Sequence, residues 1–594
     1  MEKHEDRHQA ALLSEFYQDE ERAASSLSLP QSLDFKPQTN SSQANWLRRS
    51  YQHLKYTFWR IPYVLLSIVA SFIPSFLYQH NSSTKETRSD RRLSPTAYLD
   101  GLRGVACFAV YIHHFVLNWF PALRNAYGSS PSDHYFLQLP IIRVIYEGQS
   151  AVATFFVISG YALSYSALSK IHANDQAGAF NTLSSSTLRR CVRIYIPCAV
   201  NTFICMLLQY NEYFIQDPLR WNNMPPRFDT FSAQFWDWWA NQRIFMYPLL
   251  VNEGGELYSP PYNGHLWTIP LEIRGSFVVY GTVLAVAGLS RGWRMVVLVA
   301  WDVYLWYMGK WDLFLFVGGV VLANLDGPRH VARKKTRQDI DMTTEGEDDD
   351  EGLPLTSKLI SRMSIVLPES KSSWSRISRI GKRKSAQIWK VVSPACRILR
   401  AINPYVLFFL SLWLLSFPHV PYMQWTYTLI PDSFNNLPSL FSGKDQGVRI
   451  IGSILLAYSL SLSPSPTSSP PPELTNTALQ TRLYATLRTI SIQTLFNNPL
   501  SQYLGRISFG FYLMHGPVLF CIGTRFLGPA WSAFEENGDL GAYVGMFLCA
   551  AVVNTIAIFW VGDWFARVVD ERVVTLAGWG ARKMGRRREG SGVR

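Results

Sequence analysis

The sequence predicts an all-α fold, a polytopic membrane bundle of about ten transmembrane helices. Three observations lead there. The 594 residues are 48% hydrophobic and 14% aromatic, and the apolar residues come in long runs rather than short amphipathic ones. Runs of roughly 17 to 25 such residues have the length that crosses a bilayer. The formal net charge of +13 sits in connecting segments and at both flanks, not on a compact basic face. Charge placed that way orients helices in a membrane and argues against nucleic acid as a partner.

In chain order the expected spans are 97–119, 150–168, 191–210, 265–289, 294–308, 311–326, 403–420, 447–462, 503–527 and 541–562. Basic segments, such as those holding Arg291/Arg294 and Arg582–Arg588, alternate with the weakly basic or acidic segments 120–149, 211–264, 421–446 and 528–540. The positive-inside rule then puts both termini in the cytosol after an even number of crossings. The apolar stretch Ile61–Tyr78 has basic flanks on both sides and is interrupted by Pro62 and Pro74, so it reads as an interfacial or hairpin segment. Residues 1–60 are polar and carry no short apolar core near Met1, so no cleavable signal peptide is expected.

Two segments read as linkers. The 327–402 loop joins an acidic run, Glu345–Glu351, to a basic one around Arg376–Lys384, and is expected to be a solvated linker rather than a membrane-surface helix. The Ser/Pro-rich stretch 463–472 is low in complexity. In the 211–264 segment, Trp221, Trp236, Trp238, Trp239, Tyr247, Tyr258 and Tyr262 are expected to anchor it at headgroup level, with stacking on a sugar as the alternative. The seven cysteines suggest no disulfide framework. Cys191, Cys198 and Cys205 recur every seven residues; this is read as helix packing rather than a metal or redox stripe. No metal is expected.

The chemistry lies in buried polar residues. Arg103 and His114 are eleven residues apart in the first span, so they share a helix face roughly 16 Å apart along the axis. That places a cation near one membrane surface and an imidazole near the centre, where ionisable groups are costly and mostly functional. Glu272 should lie roughly 10 Å deep in the fourth span and His515 about 18 Å deep in the ninth. His114, Glu272 and His515 are thus expected to converge from three helices. Pro270 and Gly516-Pro517 point to helices broken beside a cavity. His113 points away from His114 and reads as a packing residue.

Five motifs now carry a resemblance: Tyr98–Gly104 (YLDGLRG) with His114, Phe155–Tyr161 (FFVISGY), Arg189–Pro197 (RRCVRIYIP), Leu266–Glu272 (LWTIPLE) and Ile507–His515 (ISFGFYLMH). In this order, from about Ala97 to Val568, they resemble the acyltransferase type 3 family. The wording from Trp267 to Arg274 is similar to its fungal branch. The resemblance implies a ten-helix enzyme that moves an acyl group, often acetyl, from a cytosolic thioester to a hydroxyl. The family's arginine-and-histidine signature maps onto Arg103 and His114, its later arginines onto Arg189, Arg190 and Arg193, and its glutamate onto Glu272. The 327–402 loop and the proline-rich insert depart from the family pattern, as does the lack of an added soluble hydrolase domain.

In these terms His114 is the expected general base, because a neutral imidazole can take the acceptor hydroxyl's proton. Glu272 is expected to position or polarise it. Arg103, Arg189, Arg190 and Arg193 would bind coenzyme A phosphates by bidentate hydrogen bonds. His515, Arg274, Tyr512 and His265 are the expected acceptor contacts. In that resemblance acyl-CoA, as acetyl-CoA, enters as co-substrate with no bound cofactor, and the expected acceptor is a hydroxyl of a carbohydrate, lipid or secondary metabolite. The expected organisation is a membrane domain at 97–568 between a cytosolic region, 1–96, and a basic tail, 569–594. A proton-coupled transporter and a non-catalytic scaffold are the rival readings.

Overall fold

The structure is a computed structural model that describes residues 72–75, 93–217, 224–247, 258–327, 403–418, 444–463 and 491–585. All of them belong to the larger of two compact units, Ser71–Arg594. The expected region 1–60, most of 61–78, most of the 327–402 loop and nearly all of the 463–472 insert lie outside the described residues, as does Trp221.

Every regular element among the described residues is helical. In order these are α1 (Ala97–Leu117), α2 (Gly148–His172), α3 (Gln176–Tyr210), α4 (Phe231–Phe245), α5 (Thr268–Val286) and α6 (Arg291–Tyr307). They continue with α7 (311–327), α8 (Asn403–Leu415), α9 (Lys444–Leu462), α10 (Pro499–Val518), α11 (Thr524–Asn537), α12 (Leu540–Phe565) and α13 (Glu571–Gly585). Helix starts follow local chemistry. Asp175, Asn498 and Asp539 accept hydrogen bonds from the backbone N–H three residues on, and Pro499 takes the first position of α10, where its missing N–H costs nothing.

A helix stands at each of the ten positions expected for spans. Among the described residues, five helical stretches are long and apolar enough to cross a membrane: α2, α3, Gly264–Val286, Pro499–Asn537 and Leu540–Lys583. The other five fall short by length or hydropathy; α1 carries Asp100, Arg103, His113 and His114, and α6 has 17 residues. The most apolar window of Pro499–Asn537 is 72% buried, whereas that of Leu540–Lys583 is 17% buried. α10 is therefore a central helix, and α12 turns residues such as Val552, Ile556 and Trp560 outward. Exposed apolar area of that kind suits a lipid environment.

Three expectations need correction. Pro270 does not break a span: it is the third residue of α5, after a 3-10 turn at Gly264–Trp267, where the backbone N–H has no helical partner to lose. Pro517 lies inside α10, and the chain runs on helically through a π turn, Leu519–Gly523, into α11. The loop 211–264 contains α4, whose Trp238 is buried and donates to Thr202 Oγ1 at 3.2 Å while Trp236 and Trp239 stay exposed. Cys198 and Cys205 are wholly buried in α3, and the six cysteines among the described residues are unbridged.

The site depends on the contact between α1 and α10. A Cβ on Gly104 would stand 2.3 Å from Gly505 N, and one on Gly505 would stand 2.3 Å from Asp100 O. Real Cβ atoms do not approach so closely, so glycine is what lets the two backbones touch. Gly505→Val is expected to lower the melting temperature of the detergent-solubilised protein, the overpacking costing about 1–3 kcal/mol or more. Gly545→Val, where a Cβ meets nothing within 4 Å, should leave it unchanged.

Between α1 and α2, Asp133 organises the connecting loop. Burial alone would raise its carboxyl pKa, but the hydroxyls of Ser129 and Ser130 and the amides of Asn125 and Gln138 together hold it below the ordinary carboxylate value. A depressed folded pKa stabilises above the unfolded value of about 3.9 and loses that contribution as pH falls through the folded one. The protection factors of the amides of residues 125–138 should therefore fall on acidification below about pH 4, and should already be low at neutral pH in Asp133→Asn.

Candidate active site

α1 and α10 run parallel in a constant register. Gly104 meets Gly505, Cys107 Sγ donates to Ser508 O at 3.1 Å, and seven residues further on in both helices His114 meets His515. Seven residues are close to two helical turns, so side chains that start on the facing sides are still there. The two imidazole rings stack with centroids 5.4 Å apart.

A third ring closes the group. His265, in the 3-10 turn before α5, stands edge-on to His114 at 4.3 Å and to His515 at 4.6 Å between centroids. Gly516 makes room for it: a Cβ there would lie 2.6 Å from His265 Nδ1. Tyr512 donates its hydroxyl hydrogen to His265 O and accepts one from Thr268 Oγ1 at 2.7 Å, which ties α10 to the start of α5.

Hydrogen bonds set the tautomers of two rings. His515 Nδ1 faces Tyr512 O, an acceptor, so Nδ1 carries the proton. Asn263 Nδ2 donates to Asn201 Oδ1 at 2.9 Å and to Leu513 O at 3.2 Å, which turns its Oδ1 towards His265 Nδ1 at 3.2 Å. His265 Nδ1 is thus also a donor. Both Nε2 atoms then carry a lone pair, and both are buried and without a hydrogen-bond partner among the described residues. The His114 ring makes no hydrogen bond among the described residues, and the residue is half-buried rather than enclosed. It opens with His265 onto a narrow recess lined also by Asn118, Trp119, Asp217, Phe520 and Thr524. His113 is engaged elsewhere, its Nδ1 accepting from Gly148 N at 3.1 Å.

The expected partnership of Glu272 with His114 is corrected. Glu272 accepts from Arg190 and, at 2.8 Å, from Ser159 Oγ. It lies seven residues, about 10 Å of helix, beyond His265, so α5 carries it away from the rings towards the arginines. The third member of the converging group is therefore His265. Arg274 also differs from its expected place: it pairs with Asp312 of α7, on another face of α5 from Glu272.

The arginines gather at the other end of α1. Arg103 donates to Gly505 O at 2.9 Å and Ser508 Oγ at 3.1 Å and pairs with Asp100 at 3.2 Å. The charges of Arg190, Asp570, Arg103 and Arg189 all act on Arg193, so the four arginines form one neighbourhood. Arg189 and Arg193 are exposed, and Arg193 makes no hydrogen bond among the described residues. Arg190 is committed to Glu272 and to Ser276 Oγ, at 2.8 Å. Asn201, Asn263, Ser159, Ser508 and Asp570 are neighbours of these side chains that were not named individually from the sequence. Asn263 lies two residues before His265, Ser159 and Ser508 lie inside two of the five motifs, and Asn201 and Asp570 carry no local signal.

Residues 96–328 match the model of the acyltransferase type 3 family, described as an acyltransferase domain. The chain carries an acyltransferase domain. The matched segment runs from α1 through α7 and holds His114, His265, Glu272 and the four arginines, while His515 and Tyr512 lie beyond it. The chain is 27% identical over 538 residues to an O-acetyltransferase of Phomopsis amygdali, covering 86% of this chain and 89% of the relative. It is 26% identical to an acyltransferase of a Phoma species, over 42% of this chain and 61% of the relative. An acyltransferase of Cochliobolus lunatus is 24% identical over 39% of this chain and 57% of its own length. No solved structure matches. With its acyltransferase domain and these relatives, the protein is an acyltransferase.

The Arg190–Glu272 pair is 15% and 18% exposed, shielded enough for its loss to be felt. A double-mutant cycle with Arg190→Gln and Glu272→Gln should give a coupling on the order of 1 kcal/mol or more in thermal or denaturant unfolding.

Proposed function

We propose that this protein transfers an acetyl group from acetyl-CoA, bound at its arginine end, to a hydroxyl of a carbohydrate, lipid or secondary metabolite bound at its histidine end. The observation that carries this reading is the convergence of three histidine rings, one of them uncommitted, on the helix whose opposite end carries Arg103. The O-acetyltransferase of Phomopsis amygdali supports acetyl as the group and oxygen as the acceptor.

In this reading His114 takes the acceptor hydroxyl's proton as the oxygen attacks the thioester carbonyl. The tetrahedral intermediate collapses to the ester and expels coenzyme A as a thiolate, which recovers the proton from the imidazolium. His265 and His515 offer lone pairs at Nε2, so they accept hydrogen bonds from further hydroxyls of the acceptor. Tyr512 serves by holding His265 O, and is a positioning residue. Arg189 and Arg193 have donors to spare for phosphate, with Arg103 beside them, whereas Arg190 and Glu272 support α3 against α5. Arg274, paired with Asp312, is a structural contact in this account.

The catalytic unit runs from 97 to 568 and crosses the bilayer ten times, with both termini cytosolic. The donor then arrives from the cytosol at the arginines, and the acceptor meets the histidines about 16 Å along α1.

Transfer of label from radiolabelled acetyl-CoA by the purified protein, against a panel of sugars, sterols and secondary metabolites, tests the reading. His114→Ala should lower transfer by roughly 10²–10⁴-fold with normal insertion. Full activity in that variant would remove His114 as the base. Arg193→Ala should raise the KM for acetyl-CoA by about tenfold with little change in kcat; an unchanged KM would take the donor phosphates away from this cluster.

A further inference from the structure

We propose that His114, His265 and His515 form a binding site for a divalent transition-metal ion of the zinc class. The ligand atoms of the three rings lie within 4.8 Å of one another. Nitrogens around a tetrahedral ion at 2.0–2.1 Å stand about 3.3 Å apart, so the group must contract by about 1.5 Å or less. His114 can supply that movement, since no hydrogen bond holds its ring among the described residues.

The rings are also prepared as ligands. A ligating histidine presents the lone pair of one nitrogen and donates the other N–H to a carbonyl or carboxylate, which fixes tautomer and orientation. His515 does this through Tyr512 O and His265 through Asn263 Oδ1, itself oriented by Asn201 and Leu513 O. The two Nε2 atoms so presented are buried and unpartnered, although His265 is 5% and His515 1% exposed. Unsatisfied buried nitrogens are costly, and an ion between them would satisfy both. Three histidines with the recess beside them leave a fourth position open, as in zinc sites that keep an exchangeable ligand.

This inference does not require the transfer reaction, and it bears on it. A lone pair given to a metal takes no proton, so metal binding and proton abstraction at His114 exclude each other. The ion would thus silence the base.

Full-length protein in detergent, stripped with a chelator, should be titrated with Co²⁺ and followed by visible absorption. One equivalent is expected to produce intense bands of a tetrahedral nitrogen site, which Zn²⁺ then abolishes. His265→Gln and His515→Gln keep much of the side-chain volume and should weaken binding at least tenfold while keeping the wild-type melting profile. His134→Ala, at an exposed histidine outside the group, should bind like wild type. Absence of saturable bands, or equal binding in the two glutamine variants, would overturn the proposal. Label transfer measured on the same stripped protein separates the two ideas. Transfer without any Co²⁺ site sinks this inference alone, whereas Co²⁺ binding without transfer upholds it and sinks the acyl-transfer reading.

Discussion

The backbone contact of α1 with α10 is the constraint on which the rest depends. Two helices that touch through Gly104 and Gly505 cannot slide without driving a carbonyl into a Cα, and Arg103 locks the same register by binding Gly505 O and Ser508 Oγ. Once that register holds at one end, parallel helices keep it, and His114 must arrive beside His515. Glycine thus acts at a distance here: small residues at one end of the pair set the ring geometry at the other.

Charge is distributed along the same axis. The arginines sit together at one end with two acidic neighbours of Arg103 and Arg193, namely Asp100 and Asp570. Such a cluster repels itself unless an anion or solvent meets it. At the other end the rings are held by neutral groups: two asparagines, backbone carbonyls and a tyrosine. Neutral partners leave an imidazole with a lone pair to offer. Glu272 and Asp312 would have changed that had they faced the rings, but Arg190 and Arg274 occupy them. With Glu272 and Asp312 held by arginines, the ring nitrogens of His265 and His515 keep neutral hydrogen-bond partners.

Much of the architecture was legible in the amino-acid sequence. Runs of apolar residues located a helix at each of ten positions, because length and hydropathy are local properties. Arg103 and His114 could be placed on one face of one helix for the same reason. The ends of helices were less legible. Pro270 and Pro517 read alike as breaks, yet one opens a helix and the other lies inside a continuous one. Which of these a proline does depends on the neighbouring turns, and those are fixed by packing. The helix α4 within the aromatic loop was likewise hidden by its mixed polar and aromatic content.

By itself the sequence determined that the chain is helical, that it carries apolar segments of spanning length, and that Arg103 and His114 stand at opposite ends of one face. It also carried the motifs of an acyltransferase. Tertiary structure alone decided the partners. Glu272 and His265 are seven residues apart, and depth along a helix could not tell which would reach His114. The answer rests on α3, which brings Arg190 to Glu272, and on Gly516, which leaves space for His265. Periodicity assigns a residue its face and its height, whereas contact between helices far apart in sequence assigns it a neighbour.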